Sequence, residues 1–454
     1  MILPEKAGFR PFSIKTTQNE LAQSLTKRFP AGELVKILAV DQFLPYPPVD
    51  GSSLREFNLL KHLSRCHDVA LISLFRSSIG EDDGADYLRT LCSWVDLVPR
   101  RQLPRLERWM WLPRALLKGE PRKNLSLYSQ AMVDRIRTRI EEDRFDIVDI
   151  RRSCMAPYVR AVPANSGCRT VLTLHDVPYV QHQRILSVER NWRVRWNTFK
   201  DWLFLKRATL KYARCFDKCV VVSGLDRDIL QRDAPDLDIA VVPNGVDTES
   251  YALLAAEVAT PTLLFVGKMH YPPNVDAVLF FCSEILPIIK QQIPDVKLLI
   301  VGRDPVEPVQ ALASEDVTVT GYVESVIPYY EQACVSVIPL RAGGGTRLKI
   351  LESMALGRSV VSTTLGCEGL EVTHGENILI ADSPAEFAAQ TVRLLEDEAL
   401  RRKLVTHGRQ LVETTYDWQA IAQRLLRIYN ELLGKESGMC SEVGNNKRGE
   451  CRLC

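Results

Sequence analysis

The sequence predicts an α/β protein made of two doubly wound domains, each built on a parallel sheet, that face one another across a cleft. Three observations predict it. Short runs that are apolar throughout alternate with amphipathic stretches, and such strands belong to a sheet covered on both faces. The alternation starts afresh after residue 260. Between the two series lies a polar, Ala-rich stretch, 249–260, with few strand formers, which marks the linker.

The first series opens with 35–40 (VKILAV), read as a buried strand. Residues 51–64 (GSSLREFNLLKHLS) follow, with Leu54, Phe57, Leu60 and Leu63 at helical spacing. Strands are expected at 69–74, 145–150, 170–174, 218–222 and 239–242. In the second series strands are expected at 261–266, 296–301, 317–320, 335–339, 359–362 and 378–380. Helices are expected at 275–290 and 347–356, the latter stopped by Gly357 in a helix-ending position. Three further helices cover 383–396, 398–414 and 416–433. The resulting division is an irregular leader at 1–33, one domain at 34–253, a second at 260–415, a terminal helix at 416–434 and a polar, disordered tail at 435–454.

Composition narrows the class. The chain has 454 residues, 46% hydrophobic and 25% charged, which excludes a mainly disordered chain, a collagen and a small disulfide scaffold. The net charge of +2 divides unevenly: residues 1–256 carry 39 Lys/Arg against 31 Asp/Glu, and residues 257–454 carry 19 against 25. A basic N-terminal half suits an anionic acceptor or membrane surface. No run reaches the ~18 uninterrupted apolar residues of a spanning helix, and the first residues lack a signal-peptide core, so a cytoplasmic address is expected. The twelve cysteines read as reduced thiols without zinc-site spacing.

Two segments concentrate basic and aromatic residues. Residues 100–123 carry eight Lys/Arg with Trp109 and Trp111, and residues 190–214 carry eight with Trp192, Trp196 and Trp202. Trp192, Trp196, Phe199 and Leu203 share one helical face. Such a helix either lies in an anionic membrane interface or buries its aromatic stripe in the core, and for 190–214 the balance favours the core. Nucleic-acid binding is not expected, since the total charge is near neutral and the basic segments are rich in core-like aromatics.

The strongest chemical signal is 339–352, PLRAGGGTRLKILE. A strand ends, three glycines follow (Gly343, Gly344, Gly345), then Thr346 and a helix. Glycines let backbone amides approach an anion, and a helix start adds unpaired N–H groups and a positive dipole end. Arg347 and Lys349 add mobile cations. The pattern is a phosphate cradle without P-loop or dinucleotide spacing. Glu352, about one and a half turns into the helix, is placed to accept bonds from ribose hydroxyls. His175 ends the strand TLH and projects at the cleft edge.

With these pieces in order, the chain resembles the GT-B retaining glycosyltransferases of the large family 4, the "glycosyl transferases group 1" type. The matching motifs are DQFLPYPPVDGSSLREFNLLKHLS, TLHDV (173–177), VVVSGLDRDIL (220–230), VVPNGVD (241–247), LLFVGKM (263–269), LLIVGRDP (298–305), VTVTGYV (317–323), GGGTRLKILESMALGRSVVST and GENILIADSPAEFA. YDW (416–418) resembles the start of the helix that crosses back to the N-terminal domain. GGGTRLK and MHYPPNVDAVLFF (269–281) resemble the sugar transferases associated with exopolysaccharide and surface-protein export.

The resemblance implies transfer of a hexose-type sugar from a nucleotide diphosphate sugar to a glycan or lipid-linked acceptor, with retention. It implies His175, Lys268 and Arg347 as catalytic residues. Gly51, Arg303, Gly344, Gly345, Thr346, Lys349 and Glu352 would bind the donor. No DxD element sits in a suitable loop, so neither metal nor cofactor is expected, and the positive field at the diphosphate would come from helix dipole, glycine amides and side-chain cations. Asp176 would orient its loop, and Asn244 and Gly245 would form a structural turn. The chain departs from the family in two places. Gly344 stands where the first carboxylate of a Glu-x7-Glu pair is usual, and Pro273 falls near the usual second cation after Lys268. The resemblance implies work at the cytosolic face of the inner membrane, with 100–123 and 190–214 as possible contacts. Two other readings share the fold: a nucleotide sugar epimerase, and a degenerate subunit that binds a partner or membrane.

Overall fold

The computed structural model describes residues 34–48, 50–75, 81–100, 121–188, 191–254, 260–343 and 347–435. Seven strands form the first sheet: β1 (Lys36–Asp41), β2 (Asp68–Phe75), β3 (Trp94–Pro99), β4 (Ile147–Arg151), β5 (Arg169–Thr173), β6 (Lys218–Val221) and β7 (Ile239–Val241). Six form the second: β8 (Thr262–Val266), β9 (Lys297–Val301), β10 (Val317–Val319), β11 (Val335–Ile338), β12 (Ser359–Ser362) and β13 (Leu379–Ile380). The orders are β3-β2-β1-β4-β5-β6-β7 and β10-β9-β8-β11-β12-β13, and the strand pairs run parallel. The two-domain expectation is met. The apolar runs form strands because both sheet faces are covered: β4 is buried along its whole length, as are β11 and β12.

β3 has no counterpart in the sequence reading. It is the sheet's edge, and of its residues, WVDLVP, only Val95 and Val98 are buried, so no continuous apolar run announces it. The apolar helix Pro272–Gln292 is long enough to cross a membrane by length and composition. It is a core helix here, with Ala277, Val278, Phe281, Ile285 and Ile289 in the second domain's cluster. Residues 281–285 within it widen into a π turn. Residues 398–414 likewise continue from an α-helix into a π turn, Val412–Tyr416.

In each sheet the strand order reverses once, between β1 and β4 and between β8 and β11. Those reversals open crevices at the carboxyl ends of the strands, where doubly wound sheets bind ligands. At the second crevice two backbones cross: a Cβ on Gly302 would lie 1.7 Å from the Gly267 carbonyl oxygen, and Gly302 has φ +152°. Only glycine fits there, and the crossing sets where Lys268 and Arg303 leave β8 and β9.

The helix Trp418–Leu432 closes the fold. Asp417 caps it, accepting the Gln419 amide at 2.8 Å, and also takes the Thr248 hydroxyl at 2.6 Å. Although last in sequence, it buries Trp418, Ile421, Ala422, Leu425, Ile428 and Tyr429 in the core of the first domain. Gly245 sits against it so closely that a Cβ would meet Tyr416 O at 2.6 Å and Ile421 Cδ1 at 2.7 Å. The expected structural role of the Asn244–Gly245 turn is thereby explained.

Trp418 is 1% exposed. Truncating a fully buried tryptophan costs about 3–5 kcal/mol. Trp418→Ala is therefore expected to lower the unfolding free energy of the first domain, from urea titrations read by far-ultraviolet circular dichroism, by about that amount.

Candidate active site

The site grows from the loop ends of both sheets. On the second-domain side, β8 runs into Gly267 and Lys268. The helix Leu348–Ala355 follows the glycine loop and starts at Arg347 with no side-chain cap. Lys349 turns its ammonium inward, donating to Asn274 Oδ1 at 3.0 Å and lying 4.0 Å from the centre of the Phe265 ring. A Cβ on Gly267 would stand 3.1 Å from that nitrogen. Arg347 is buried, its Nη2 lying 3.2 Å from where a Cβ on Gly343 would stand. These two side chains are packed against the crevice wall, which corrects the expectation of mobile cations.

Burial, and next the Arg347 charge, push the Lys349 amine down to about 7, against the pull of Glu352. Burial raises the Glu352 carboxyl, with Lys349 opposing. Glu352 is half-buried one turn below, beside Tyr251 and Tyr330, whose phenols it helps to raise after burial itself. Arg303 is less involved: its side chain is 40% exposed and leans towards Asp304 at 3.8 Å. Gly344, Gly345 and Thr346 lie outside the described residues.

The first domain faces this wall through the helix Gly51–Leu63. Asp50 caps it, accepting the Ser53 amide at 2.8 Å while Ser53 Oγ accepts the Asp50 amide at 3.0 Å. Burial acts to raise the Asp50 carboxyl, but the Ser53 bonds and the charges of Lys268 and Arg152 outweigh it and hold it below its ordinary value. The charge of Lys268, on the second-domain side, is thus felt at this cap. Gly51, the first helical residue, meets the facing helix directly, since a Cβ there would stand 3.1 Å from Leu348 Cδ1. A second crossing lies at Gly369, where a Cβ would stand 3.0 Å from Ser223 Cβ.

His175 follows β5 at the cleft edge, as expected, but it does not stand alone. Its Nε2 lies 2.5 Å from Oε1 of Glu56, which is fully buried. The other Glu56 oxygen pairs with Arg151. Burial acts to raise the Glu56 carboxyl, but Arg151, His175 and Arg55 together hold it far below its ordinary value. Arg55, also fully buried, donates to the Pro243 carbonyl at 2.6 Å and to Asn244 Oδ1 at 3.1 Å, tying this helix to the VPNGVD turn. At the neighbouring reversal, Arg152 donates to Asp41 at 2.9 Å and stacks over Phe43 at 4.0 Å.

Arg55, Glu56, Asp149 and Arg151 were missed in the sequence, yet a signal existed. Arg55 and Glu56 precede Leu59 and Leu60 by four residues and share their buried face, while Leu54 and Phe57 are only half-buried. Asp149 and Arg151 stand in a strand apolar at every other position. Charges at buried positions of both elements pointed to a paired cluster.

The other basic segment corrects the sequence reading. In the helix Trp192–Ala213, Trp192, Trp196 and Phe199 are 71%, 58% and 40% exposed, so the aromatic stripe is not core-facing. Residues 101–120 lie outside the described residues. Nine cysteines are free among the described residues, and no group of three or more His, Cys, Asp or Glu there is arranged to hold a metal ion.

Two facing doubly wound domains, with a cationic crevice on one wall and a histidine on the other, define an enzyme of the GT-B type. Comparison with known proteins agrees. Residues 49–250 match the model of Glycosyltransferase Family 4, and residues 260–397 match that of Glycosyl transferases group 1. The chain belongs to this glycosyltransferase family. It is 22% identical over 408 residues to a 44.6 kDa protein of the cps region of Klebsiella pneumoniae, covering 87% of this chain and 100% of that one. It is 30% identical over 230 residues to a phosphatidyl-myo-inositol mannosyltransferase of Mycobacterium tuberculosis, covering 47% of this chain and 60% of that enzyme. Among solved structures, sucrose-phosphate synthase from Thermosynechococcus elongatus superposes with a TM-score of 0.63 at 18% identity, covering 88% and 99% of the two chains. Anabaena HepE in complex with UDP and glucose superposes at 0.57 and 16% identity, covering 87% and 100%. These structures share the fold.

Lys349 gives a pH test. An anion in the crevice stabilises the charged amine, so binding must take up a proton wherever the free amine is neutral. With the free group at about 7, UDP affinity is expected to fall as pH rises above 7, by up to about tenfold per unit. Titration calorimetry in buffers of different ionisation enthalpy reads the proton uptake. Lys349→Met should abolish it; an unchanged uptake would remove Lys349 from the crevice.

Proposed function

We propose that this chain transfers a hexose-type sugar from a nucleotide diphosphate sugar to a glycan or lipid-linked acceptor, with retention and without a metal ion, in the building of exopolysaccharide or another cell-surface polysaccharide. The observation that carries the reading is the pairing of Lys268, Arg347 and Lys349 at the β8–β11 reversal with His175 on the opposite wall. The costly event in such a transfer is negative charge growing on the departing diphosphate. Fixed cations in a partly desolvated crevice stabilise that charge without reorganising. Lys349 offsets the cation that Pro273 replaces, and Glu352 binds the ribose hydroxyls. The bond from anomeric carbon to diphosphate oxygen breaks, the new bond to the acceptor oxygen forms on the same face, and the acceptor proton passes to the departing diphosphate. His175 contacts the donor sugar.

A polysaccharide role is supported by the relative in a cps region, and a lipid-borne acceptor by the relative named as a phosphatidyl-myo-inositol mannosyltransferase. The exposed Trp192, Trp196 and Phe199, with Arg193, Arg195, Lys200 and Arg207 on the same helix, support contact with an anionic membrane surface.

The reading is tested by thermal shift with UDP- and GDP-sugars in excess chelator, where a ligand stabilises by mass action. Stabilisation by one of them is expected, with Glu352→Gln weakening it about tenfold or more. No shift with any nucleotide sugar would favour a binding-only protein, and turnover of the sugar without an acceptor would favour an epimerase. A shift lost in chelator would restore a metal. For the membrane contact, the wild-type chain should sediment with phosphatidylglycerol vesicles and be released by salt, and a Trp192→Ala, Trp196→Ala variant should stay in the supernatant.

A further inference from the structure

We propose that Glu56 is the positioning residue of His175, at the outer end of a buried hydrogen-bonded chain that extends to the helix Trp418–Leu432. This deepens the transferase reading and rests on it for its catalytic consequence. A carboxylate offers only lone pairs, so the proton between His175 Nε2 and Glu56 Oε1 belongs to the ring. Neutral His175 therefore carries its proton on Nε2 and presents Nδ1 as a lone pair. The imidazole thus faces a sugar hydroxyl as an acceptor, and becomes a donor there only after taking up a proton.

Four elements fix the carboxylate. Glu56 comes from the helix Gly51–Leu63, and Arg151, at the end of β4, pairs with its second oxygen. Arg151 Nε in turn donates to Asp149 Oδ2 at 3.0 Å. Asp149 accepts the Thr173 hydroxyl, on β5, at 2.7 Å and the Tyr429 hydroxyl at 3.1 Å. Tyr429 belongs to the terminal helix Trp418–Leu432, 280 residues along the chain from Asp149. Glu56, Asp149, Arg151, Thr173 and Tyr429 are all at most 1% exposed, whereas the His175 side chain is 11% exposed and lies at the chain's open end. A purely structural ion pair would need no histidine at its solvent end. Here the buried charges converge on one imidazole nitrogen and leave the other at the cleft.

Long-range proton–nitrogen correlation spectra of histidine-labelled, full-length protein, recorded above the titration of the ring, read this directly. The His175 signals are assigned by their loss in His175→Gln. A pyrrole-type Nε2 and a pyridine-type Nδ1 are expected in the wild type. Glu56→Gln, whose amide can donate to Nε2, should move the proton towards Nδ1 and slow turnover of the nucleotide sugar at least about tenfold, with a smaller effect on KM. A wild-type ring protonated on Nδ1 overturns the proposal and needs no variant. Tyr429→Phe keeps the carboxylate and should leave the tautomer in place, which separates positioning from general loss of packing. The two readings fail separately: the expected tautomer without nucleotide-sugar binding sinks the transferase alone, and binding with the other tautomer sinks the positioning alone.

Discussion

The structure depends on the docking of its last helix into its first domain. Trp418, Ile421, Leu425 and Tyr429 complete a core to which each strand from β1 to β6 and the helix Gly51–Leu63 contribute. The chain therefore passes between the domains twice, once after β7 and once before Trp418. Thr248 and Asp417, one on each passage, hydrogen-bond to one another at 2.6 Å. Val246 and Tyr416 pair by backbone at 2.9 Å at the same place. Two adjacent, mutually bonded passages restrict relative motion far more than a single linker would. The strand ends of the two sheets are thereby kept facing, and every contact across the cleft follows from that.

Much of this was legible in the sequence because burial on both faces forces a strand to be apolar throughout. β4, β11 and β12 were found that way, and their limits were read within a residue or two. β3 escaped because only Val95 and Val98 of its six residues are buried and Asp96 interrupts the apolar run. The cationic crevice was legible as glycines before a helix, and His175 as the end of an apolar strand. What was not legible is the direction in which side chains turn. Lys349 reads as a mobile cation beside the glycine loop, yet its ammonium packs on Phe265 and donates to Asn274. The aromatic stripe of the helix Trp192–Ala213 reads as core, yet three of its rings face outwards. Periodicity shows which residues share a face, and only tertiary packing decides what that face meets.

The buried ionic cluster illustrates the same limit. Arg55, Glu56, Asp149 and Arg151 are individually expensive to desolvate, and each is retained only because the others are present. Removing one partner of such a pair costs about 3–5 kcal/mol, because the survivor stays buried and uncompensated. A hydrophobic cluster of equal volume would stabilise the domain as well or better. Ionic groups in this position therefore need a reason beyond stability, and the histidine at the end of the cluster supplies one.

The two walls of the cleft then solve different halves of one electrostatic problem. On the second-domain wall, cations are held where water is scarce, and burial weakens the charge of Lys349 until an anion arrives. On the first-domain wall, the carboxylate of Glu56 is kept ionised and hidden, so that it acts only through His175. An exposed carboxylate beside Arg347 and Lys349 would repel an anion, whereas Arg151, the buried cation behind the imidazole, is offset by Glu56 and Asp149. The second-domain wall thus offers cations to an anion, while the first-domain wall presents a histidine backed by charges that balance among themselves.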